Sequence, residues 1–177
     1  MPAGTTLIFA GPEIGEKQDE IAKVRKTISE KNGSQLEETS FYAFDVQVSK
    51  IVSVLLNASL FSQARLIIVK NAEYIKKKED IETLVNYIQA PCEDTTLILT
   101  SDLSGIDKKI EDAVLKMPNG KNNKRIFWEL FEDRKEQWVR TFFKNAGVII
   151  DQEGIAAVLE MVENNTDALR RECSGLL

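Results

Sequence analysis

A glycine-containing turn near the start of the chain has the layout of a phosphate-binding loop but lacks residues that such a loop needs. Residues 11–18 read Gly-Pro-Glu-Ile-Gly-Glu-Lys-Gln, where a P-loop would read G-x-x-x-x-G-K-[ST]. The interval from Gly11 to Gly15 is one residue too short. A working loop has a glycine beside the lysine for close backbone approach to phosphate, and a hydroxyl after it to bind magnesium. Glu16 and Gln18 stand at those positions beside Lys17, and the carboxylate of Glu16 would repel phosphate.

A second part of an ATP-hydrolysing site is missing farther along the chain. Residues 66–69 form an apolar run that is typical of a buried strand. An ATPase of this layout would place a magnesium-binding Asp and a Glu at the end of that strand, but this chain has Lys70 and Asn71. A lysine cannot bind a cation, and an asparagine cannot act as a general base toward water. The pattern therefore predicts a nucleotide-binding layout that carries out no ATP chemistry.

The amino-acid composition excludes several classes of catalytic site. The chain contains no histidine, which removes Ser-His-Asp and Cys-His catalysis and most catalytic zinc sites. Its two cysteines, Cys92 and Cys173, lie far apart in the sequence and form neither a C-x-x-C pair nor a disulfide framework. We therefore expect no catalytic residue, no metal and no cofactor, and we expect idle thiols in a reducing cytoplasm.

Length and charge set further bounds. A chain of 177 residues fits one packed domain with a small appendage, or two modest domains. The net charge of −5 lacks the basic excess expected of a protein that holds duplex DNA by itself, so any DNA contact should be local or shared with partners. The chain has no signal-peptide pattern and no apolar run near the ~20 residues of a membrane span. We expect a cytoplasmic protein that does not contact a membrane.

Short apolar runs alternate with longer segments of helical period, as in a parallel sheet covered by helices. We predict an α/β domain over residues 1–133, with five mainly parallel strands at 5–10, 41–44, 66–69, 97–100 and 125–128. Its helices are predicted over 14–33, from 48 toward 61, over 81–90 and over 105–115. Residues 134–177 have a purely helical pattern, which predicts a small all-α domain with Trp138, Phe142 and Phe143 on one buried face. Its last helix should begin near the capping residues 165–167 and run through Leu176 and Leu177, which would leave the domain incomplete.

Two lysine-rich segments each allow two interpretations. Residues 117–124 are polar and turn-rich, and they form either a solvent loop or a contact with the DNA backbone. Lys76, Lys77 and Lys78 form either a solvated helix start or the centre of a nucleic-acid-binding module. Salt-dependent DNA binding would separate these interpretations.

The amino-acid sequence as a whole resembles the delta subunits of the bacterial DNA polymerase III clamp loader. The resemblance rests on Leu-Ile-Phe-Ala-Gly-Pro-Glu at residues 7–13, on residues 59–73, and on Asp-Ala-Leu-Arg-Arg-Glu at 167–172. The central stretch, Ser-Leu-Phe-Ser-Gln-Ala-Arg-Leu-Ile-Ile-Val-Lys-Asn-Ala-Glu, is the most specific of the three. Residues 119–124 look longer than the family pattern, and the resemblance assigns them no role.

The resemblance implies an AAA+-like (P-loop NTPase-like) fold without ATPase activity, followed by a small helical domain. It also implies a protein that binds the ring-shaped sliding clamp and opens it, without hydrolysing ATP itself, as part of the DNA polymerase III holoenzyme. The family inserts a Leu-Phe pair into an apolar pocket of the clamp, and that pair matches Leu60 and Phe61, which follow Ser59. A C-terminal collar domain joins the family's subunits in a ring, and this chain ends before it.

The residues themselves leave two interpretations of Leu60 and Phe61 open. The pair follows a predicted helix and precedes Ser62 and Gln63, so it lies in a helix-to-strand connection where side chains often reach solvent. The residues alone nevertheless favour a plug in the apolar core. The match to the family favours an exposed anchor over a core plug.

A competing hypothesis is an active nucleoside-phosphate enzyme with a non-standard loop. In it Lys17 would bind phosphate, and Asp102 or Asp107 would hold magnesium. The wrong charges of Glu16 and Lys70 disfavour this hypothesis, and titration with ATP separates it from a binding module that remodels a protein partner.

Overall fold

The computed structural model describes residues 4–32, 36–57, 64–162 and 165–177. Within these ranges five parallel strands form one sheet in the order β2-β3-β4-β1-β5. The strands are β1 (Thr5–Ala10), β2 (Leu36–Tyr42), β3 (Ala64–Lys70), β4 (Thr95–Thr100) and β5 (Lys124–Ile126). The helices are α1 (Ile14–Asn32), α2 (Val48–Leu56), α3 (Lys78–Gln89), α4 (Lys108–Leu115), α5 (Glu132–Asn145), α6 (Gln152–Met161) and α7 (Thr166–Gly175). This architecture confirms the predicted fold class.

The three central strands, β1, β3 and β4, are apolar and buried because helices cover both faces of the sheet. Side chains alternate along each strand, so Leu7 and Phe9 pack under α1. Ile8 and Ala10 point to the opposite face and join the apolar stripes of α2, α3 and α4. The covered sheet thus provides the core, and its carboxyl edge carries the turn at Gly11.

The edge strands differ from their predicted bounds. Strand β2 was expected over 41–44 but runs over Leu36–Tyr42, where its sequence Leu-Glu-Glu-Thr-Ser-Phe-Tyr has four exposed and three half-buried residues and no fully buried one. An edge strand has a solvated face and therefore lacks the apolar run on which the prediction relied. Phe44 lies instead in the turn after β2, and β5 ends at Ile126 rather than at 128.

The segment expected to be a solvent loop is folded onto the sheet. Residues Gly120–Asn122 form a 3-10 turn, and Gly120 and Asn123 are buried. The Ile8 amide donates to the Asn123 carbonyl at 2.7 Å, and the Lys124 ammonium lies 2.8 Å from the Glu111 carboxylate. Backbone pairing with β1, which sequence composition does not reveal, therefore overrides the polar character of the segment.

Helices α5, α6 and α7 enclose an apolar cluster of their own. Val139 and Phe143 are buried there, and Trp138 and Phe142, which stack on each other, are partly buried against the same cluster. This agrees with the expectation that Trp138, Phe142 and Phe143 are largely buried on one helix face. The boundary near residue 133 remains our proposal.

The predicted cap of the last helix is confirmed, since the Asn165 side chain accepts a hydrogen bond from the Ala168 amide at 2.7 Å. The helix ends at Gly175, so the expectation that it runs through Leu176 and Leu177 is wrong. Among the described residues, every helix is too short or too polar to span a lipid bilayer.

A buried arginine joins the end of α2 to the start of β3. The Arg65 guanidinium is buried and donates to the carbonyl oxygens of Val54, Leu55 and Asn57. These carbonyls lie at the C-terminal end of α2, where the helix itself provides no further amide partners. A positive charge is also favourable at that end of a helix dipole. Arg65 therefore fixes where the chain leaves α2 and where it enters β3.

We expect Arg65→Met to lower the free energy of unfolding by about 2–4 kcal/mol, because three buried carbonyls lose a charged donor. Urea denaturation measures the change. The matched control is Arg25→Met, which removes a half-exposed guanidinium paired with Glu38 and should cost about 0–1 kcal/mol. Equal effects of the two substitutions would contradict the role assigned to Arg65.

Candidate functional site

The turn after β1 is held tightly against β5. Gly11 has a φ of 111°, a backbone conformation that residues with a side chain rarely adopt. A Cβ placed at this position would also lie 2.1 Å from the Phe127 carbonyl oxygen. The Gly11 amide donates to the Leu103 carbonyl at 2.7 Å, and the Glu13 amide donates to the Phe127 carbonyl at 3.2 Å. The first glycine of the loop is therefore required for packing, whether or not the loop binds a ligand.

The Glu13 carboxylate binds donors from the starts of two helices. Its Oε1 accepts hydrogen bonds from the Gly15 amide at 3.0 Å and the Glu16 amide at 3.4 Å, both in the first turn of α1. The same oxygen accepts the Thr166 amide at 3.0 Å and the Thr166 hydroxyl at 2.6 Å, at the start of α7. Glu13 is completely buried. We call these four donors, from Gly15, Glu16 and Thr166, the Glu13 cradle.

Amide groups at a helix N-terminus attract anions, and a P-loop directs them at phosphate oxygens. In this chain an internal carboxylate accepts them instead. The Glu16 side chain, to which the sequence assigned repulsion of phosphate, is exposed, and it is Glu13 that brings a negative charge to the helix starts. Sequence reasoning missed Glu13. The available signal was an acidic residue directly before the predicted start of α1, a position where capping side chains occur.

Two further contacts join α1 to α7. Gly15 approaches Thr166 so closely that a Cβ at Gly15 would lie 2.1 Å from the threonine hydroxyl. One turn along α1, Asp19 accepts two hydrogen bonds from the Arg170 guanidinium, at 2.9 and 2.6 Å. These hydrogen bonds lower the pKa of the Asp19 carboxyl, because they favour its charged form. The second loop glycine thus serves close packing between helices.

Lys17 is buried and paired within the chain. Its ammonium donates to the Ser101 carbonyl at 2.9 Å and to Asp102 Oδ1 at 2.8 Å. Asn71 donates to the other oxygen of Asp102 at 3.0 Å and to Glu73 Oε1 at 3.3 Å. The predicted remnants of both halves of a nucleotide site, Lys17 and Asn71, are therefore brought together by Asp102.

The acids proposed for magnesium in the enzyme hypothesis have other roles. Asp102 pairs with Lys17, and Asp107 caps α4 by accepting the Lys109 amide at 2.9 Å. Over the described ranges, no three Asp, Glu or Cys side chains group closely enough to hold a metal ion. Lys70 ends β3 with its ammonium 5.1 Å from the centre of the Tyr42 ring. These arrangements disfavour phosphate-transfer chemistry at this edge of the sheet.

The proposed anchor residues Ser59, Leu60 and Phe61 lie outside the described residues. The chain on either side is described, with Asn57 closing α2 and Ala64 beginning β3. Arg65 contacts the carbonyls of Asn57 and of the last turn of α2, as described above. Lys76 and Lys77 are exposed and precede α3, which begins at Lys78, as the solvated-helix-start interpretation requires.

We expect Glu13→Ala to lower the free energy of unfolding by about 2–4 kcal/mol, because the Glu13 cradle loses a charged acceptor. Inorganic phosphate should restore part of that stability in the variant, but not in the wild type, compared with chloride at equal ionic strength. Urea denaturation measures both effects. Glu16→Ala is the matched control and should change stability little, since its side chain is exposed. Equal losses in the two variants would refute the role of Glu13.

The Asp19–Arg170 pair gives stability a defined pH dependence. The pKa of folded Asp19 is lowered, so the pair stabilises the fold above the unfolded pKa of about 3.9, and that contribution is lost as pH falls through the folded pKa. Both side chains are about two-fifths exposed, so solvent screening limits the contribution to about 1 kcal/mol or less.

The stability difference between wild type and Asp19→Asn should therefore be constant above about pH 5 and shrink below about pH 4. Urea denaturation across this pH range measures it. Asp112→Asn is the control, because Asp112 is an exposed carboxylate on α4 that does not pair with Arg170. A difference that stays the same down to pH 3 would argue against the pair.

The family model described as DNA polymerase III, delta subunit, matches residues 13–127. No curated protein sequence matches the chain. Among solved structures, the Bacillus subtilis DNA clamp loader delta protein aligns with a TM-score of 0.66 at 18% identity, over 98% of this chain and 53% of that one. The chain therefore spans about half the length of that protein.

Two other solved structures share the fold at lower similarity. A DNA polymerase III gamma subunit-related protein of Thermotoga maritima aligns with a TM-score of 0.53 at 10% identity, covering 98% of this chain and 55% of that one. The Aeropyrum pernix ORC2 protein aligns with a TM-score of 0.52 at 12% identity, over 98% and 55% of the two chains. The fold is AAA+-like, and the chain belongs to the family of DNA polymerase III delta subunits.

Proposed function

We propose that this chain binds the sliding clamp and opens it for loading onto primed DNA during replication, without hydrolysing ATP of its own. The observation that carries the proposal is the family match across residues 13–127, which includes the strand that follows the predicted anchor. The fold shared with the Bacillus subtilis DNA clamp loader delta protein supports the proposal. Catalysis of DNA synthesis would belong to other subunits of the holoenzyme.

Leu60 and Phe61, preceded by Ser59, are the proposed contact with the clamp. Burying a leucine and a phenylalanine in an apolar pocket contributes roughly 1.5–3 kcal/mol each, enough for both to be hot spots. Arg65 supports this assignment, because it fixes both ends of the connection that carries the pair. A short connection between two fixed ends loses less conformational entropy when it binds.

We propose the absence of ATP chemistry because charged groups of the chain already occupy the positions that a nucleotide phosphate and its magnesium would need. A nucleotide phosphate at the start of α1 would have to displace the buried Glu13 carboxylate from the amides of Gly15 and Thr166. Phosphate and carboxylate carry the same charge sign and would compete for the same donors. Lys17 would also have to leave Asp102, and Lys70 and Asn71 supply no carboxylate for magnesium. No cofactor is therefore part of the proposal.

The other partners follow from the family. We propose that the remaining loader subunits join through a C-terminal collar domain of the kind that the family carries. Contact with DNA is proposed to be indirect or weak, in keeping with the net charge of −5, and the site of action is the cytoplasm.

Replacing both anchor residues, Leu60→Ala with Phe61→Ala, should weaken binding to a purified sliding clamp by several kcal/mol and leave the melting temperature nearly unchanged. Titration calorimetry and a thermal melt measure the two quantities on one variant. Ile149→Ala is the matched control, because Ile149 is an almost fully exposed apolar residue of the helical unit. If the pair belonged to the core, the melting temperature would fall, with a loss of more than ~2 kcal/mol per site, and clamp binding by the folded protein would persist.

Mg-ATP should show no useful affinity for the wild-type chain in calorimetry, because Glu13 and Asp102 already occupy the donors that a triphosphate needs. Millimolar Mg-ATP should likewise leave the melting temperature unchanged. Micromolar binding, or a turnover that Lys17→Ala abolishes, would contradict this prediction.

A further inference from the structure

Three aromatic rings lie exposed side by side at the carboxyl edge of the sheet. Tyr42, Phe44 and Tyr74 are 43%, 58% and 61% exposed. The ring centre of Phe44 lies 5.4 Å from that of Tyr42 and 5.8 Å from that of Tyr74. We call these three residues the aromatic platform. Single exposed apolar residues are common on protein surfaces, but a contiguous aromatic group marks a binding surface.

The backbone holds each ring of the aromatic platform in place. Tyr42 is the last residue of β2 and pairs in register with Lys70. Phe44 lies in the following turn, which is closed by a hydrogen bond from the Asp45 amide to the Tyr42 carbonyl at 3.1 Å. Tyr74 ends a 3-10 turn that begins after Asn71 in the left-handed conformation. The three rings therefore project from an ordered backbone, which lowers the conformational entropy lost on binding.

One lysine lies beside a ring of the aromatic platform, and two more follow it closely in sequence. The Lys70 ammonium lies 5.1 Å from the Tyr42 ring centre, and exposed Lys76 and Lys77 follow two and three residues after Tyr74. Lys78 forms an ion pair with Glu82 on α3. The carboxylates nearest in sequence are Asp45, the buried Glu73, and Glu79 and Asp80 in the first turn of α3. The pKa of Glu38 on β2 is lowered chiefly by its hydrogen bonds from Arg25, and Lys70 also lies near enough for its positive charge to contribute. The segment from Lys70 to Lys77 carries three lysines and one buried glutamate.

We propose that the aromatic platform binds single-stranded nucleic acid, with bases stacking on Tyr42, Phe44 and Tyr74 and phosphates meeting Lys70, Lys76 and Lys77. Rows of accessible aromatic rings beside cationic side chains are the combination that binds unpaired strands without sequence preference. Lysine is depleted from the cores of protein interfaces, which disfavours a protein occupant. Duplex DNA keeps its bases stacked on each other and offers none to these rings.

This surface is separate from the proposed clamp anchor. The aromatic platform lies at the carboxyl ends of β2 and β3, whereas Asn57 and Ala64, which flank the anchor residues, lie at the amino end of β3. The two proposals can therefore fail independently.

Fluorescence anisotropy of a labelled oligothymidylate, titrated with the whole chain at low salt, tests the proposal. Each of Tyr42→Ala, Phe44→Ala and Tyr74→Ala should weaken binding about five-fold or more, whereas Phe44→Trp should preserve it. Lys76→Ala and Lys77→Ala should each reduce the salt slope by about 0.7, the value expected for one phosphate contact on a single strand. Phe131→Ala, which removes an exposed ring elsewhere on the chain, is the control and should change nothing.

Several results would overturn the proposal. One is an absence of oligothymidylate binding at low salt, and another is equal affinity for duplex and single-stranded DNA. Binding that the lysine variants weaken but the aromatic variants do not would show a purely electrostatic contact without stacking. A loss of clamp affinity in the aromatic variants, with oligothymidylate binding unchanged, would assign the aromatic platform to a protein partner instead.

Discussion

The fold of this chain depends on one buried carboxylate that accepts hydrogen bonds from the starts of two helices. Glu13 accepts hydrogen bonds from the first turn of α1, which covers one face of the sheet, and from Thr166, the first residue of α7. A buried anion is costly unless donors compensate it. Four donors converge on Oε1 of Glu13, whereas the buried Oε2 has no hydrogen-bond partner among the described residues. Because Gly15 has no side chain, α7 can approach closely enough for Thr166 to be one of those donors. The same contact that joins the start of α1 to the start of α7 also occupies the helix start where a phosphate would bind.

The polar residues near Glu13 are also paired with groups of the same chain. Lys17 would serve a nucleotide in a P-loop, but here it is satisfied by Asp102 and by the Ser101 carbonyl. Asn71 completes the group by donating to Asp102. Each group left over from nucleotide chemistry thus has a partner within the protein. These internal pairs are in keeping with the proposal that the chain binds a protein ring and hydrolyses no ATP itself.

The sequence predicted the parts of the fold that rest on apolar periodicity. Strands β1, β3 and β4 and the helices that cover them were found because burial on both faces requires uninterrupted apolar runs. Strand β2 was misplaced because its edge position permits a run of four polar residues, at 37–40, within the strand.

The candidate site was predicted in part. Local motif comparison found Lys17, Lys70 and Asn71, and the structure brings Lys17 and Asn71 together at Asp102. That this group of residues serves neither magnesium nor phosphate stays a prediction. It did not find the Glu13 cradle, because Thr166 is separated from Glu13 by 153 positions and no local pattern links them. The aromatic platform was also missed, since it forms only when the ends of two adjacent strands bring Tyr42 and Tyr74 together.

Amide hydrogen exchange of Gly15 and Thr166, followed by nuclear magnetic resonance, tests the central role of Glu13 most directly. Both amides should exchange slowly in the wild type, and both should lose protection in Glu13→Ala, because they share one acceptor. The Ala168 amide, which donates to the Asn165 side chain in the same helix, should stay protected if α7 remains folded. Rapid exchange of Gly15 and Thr166 in the wild type, or protection unchanged by the substitution, would contradict the account.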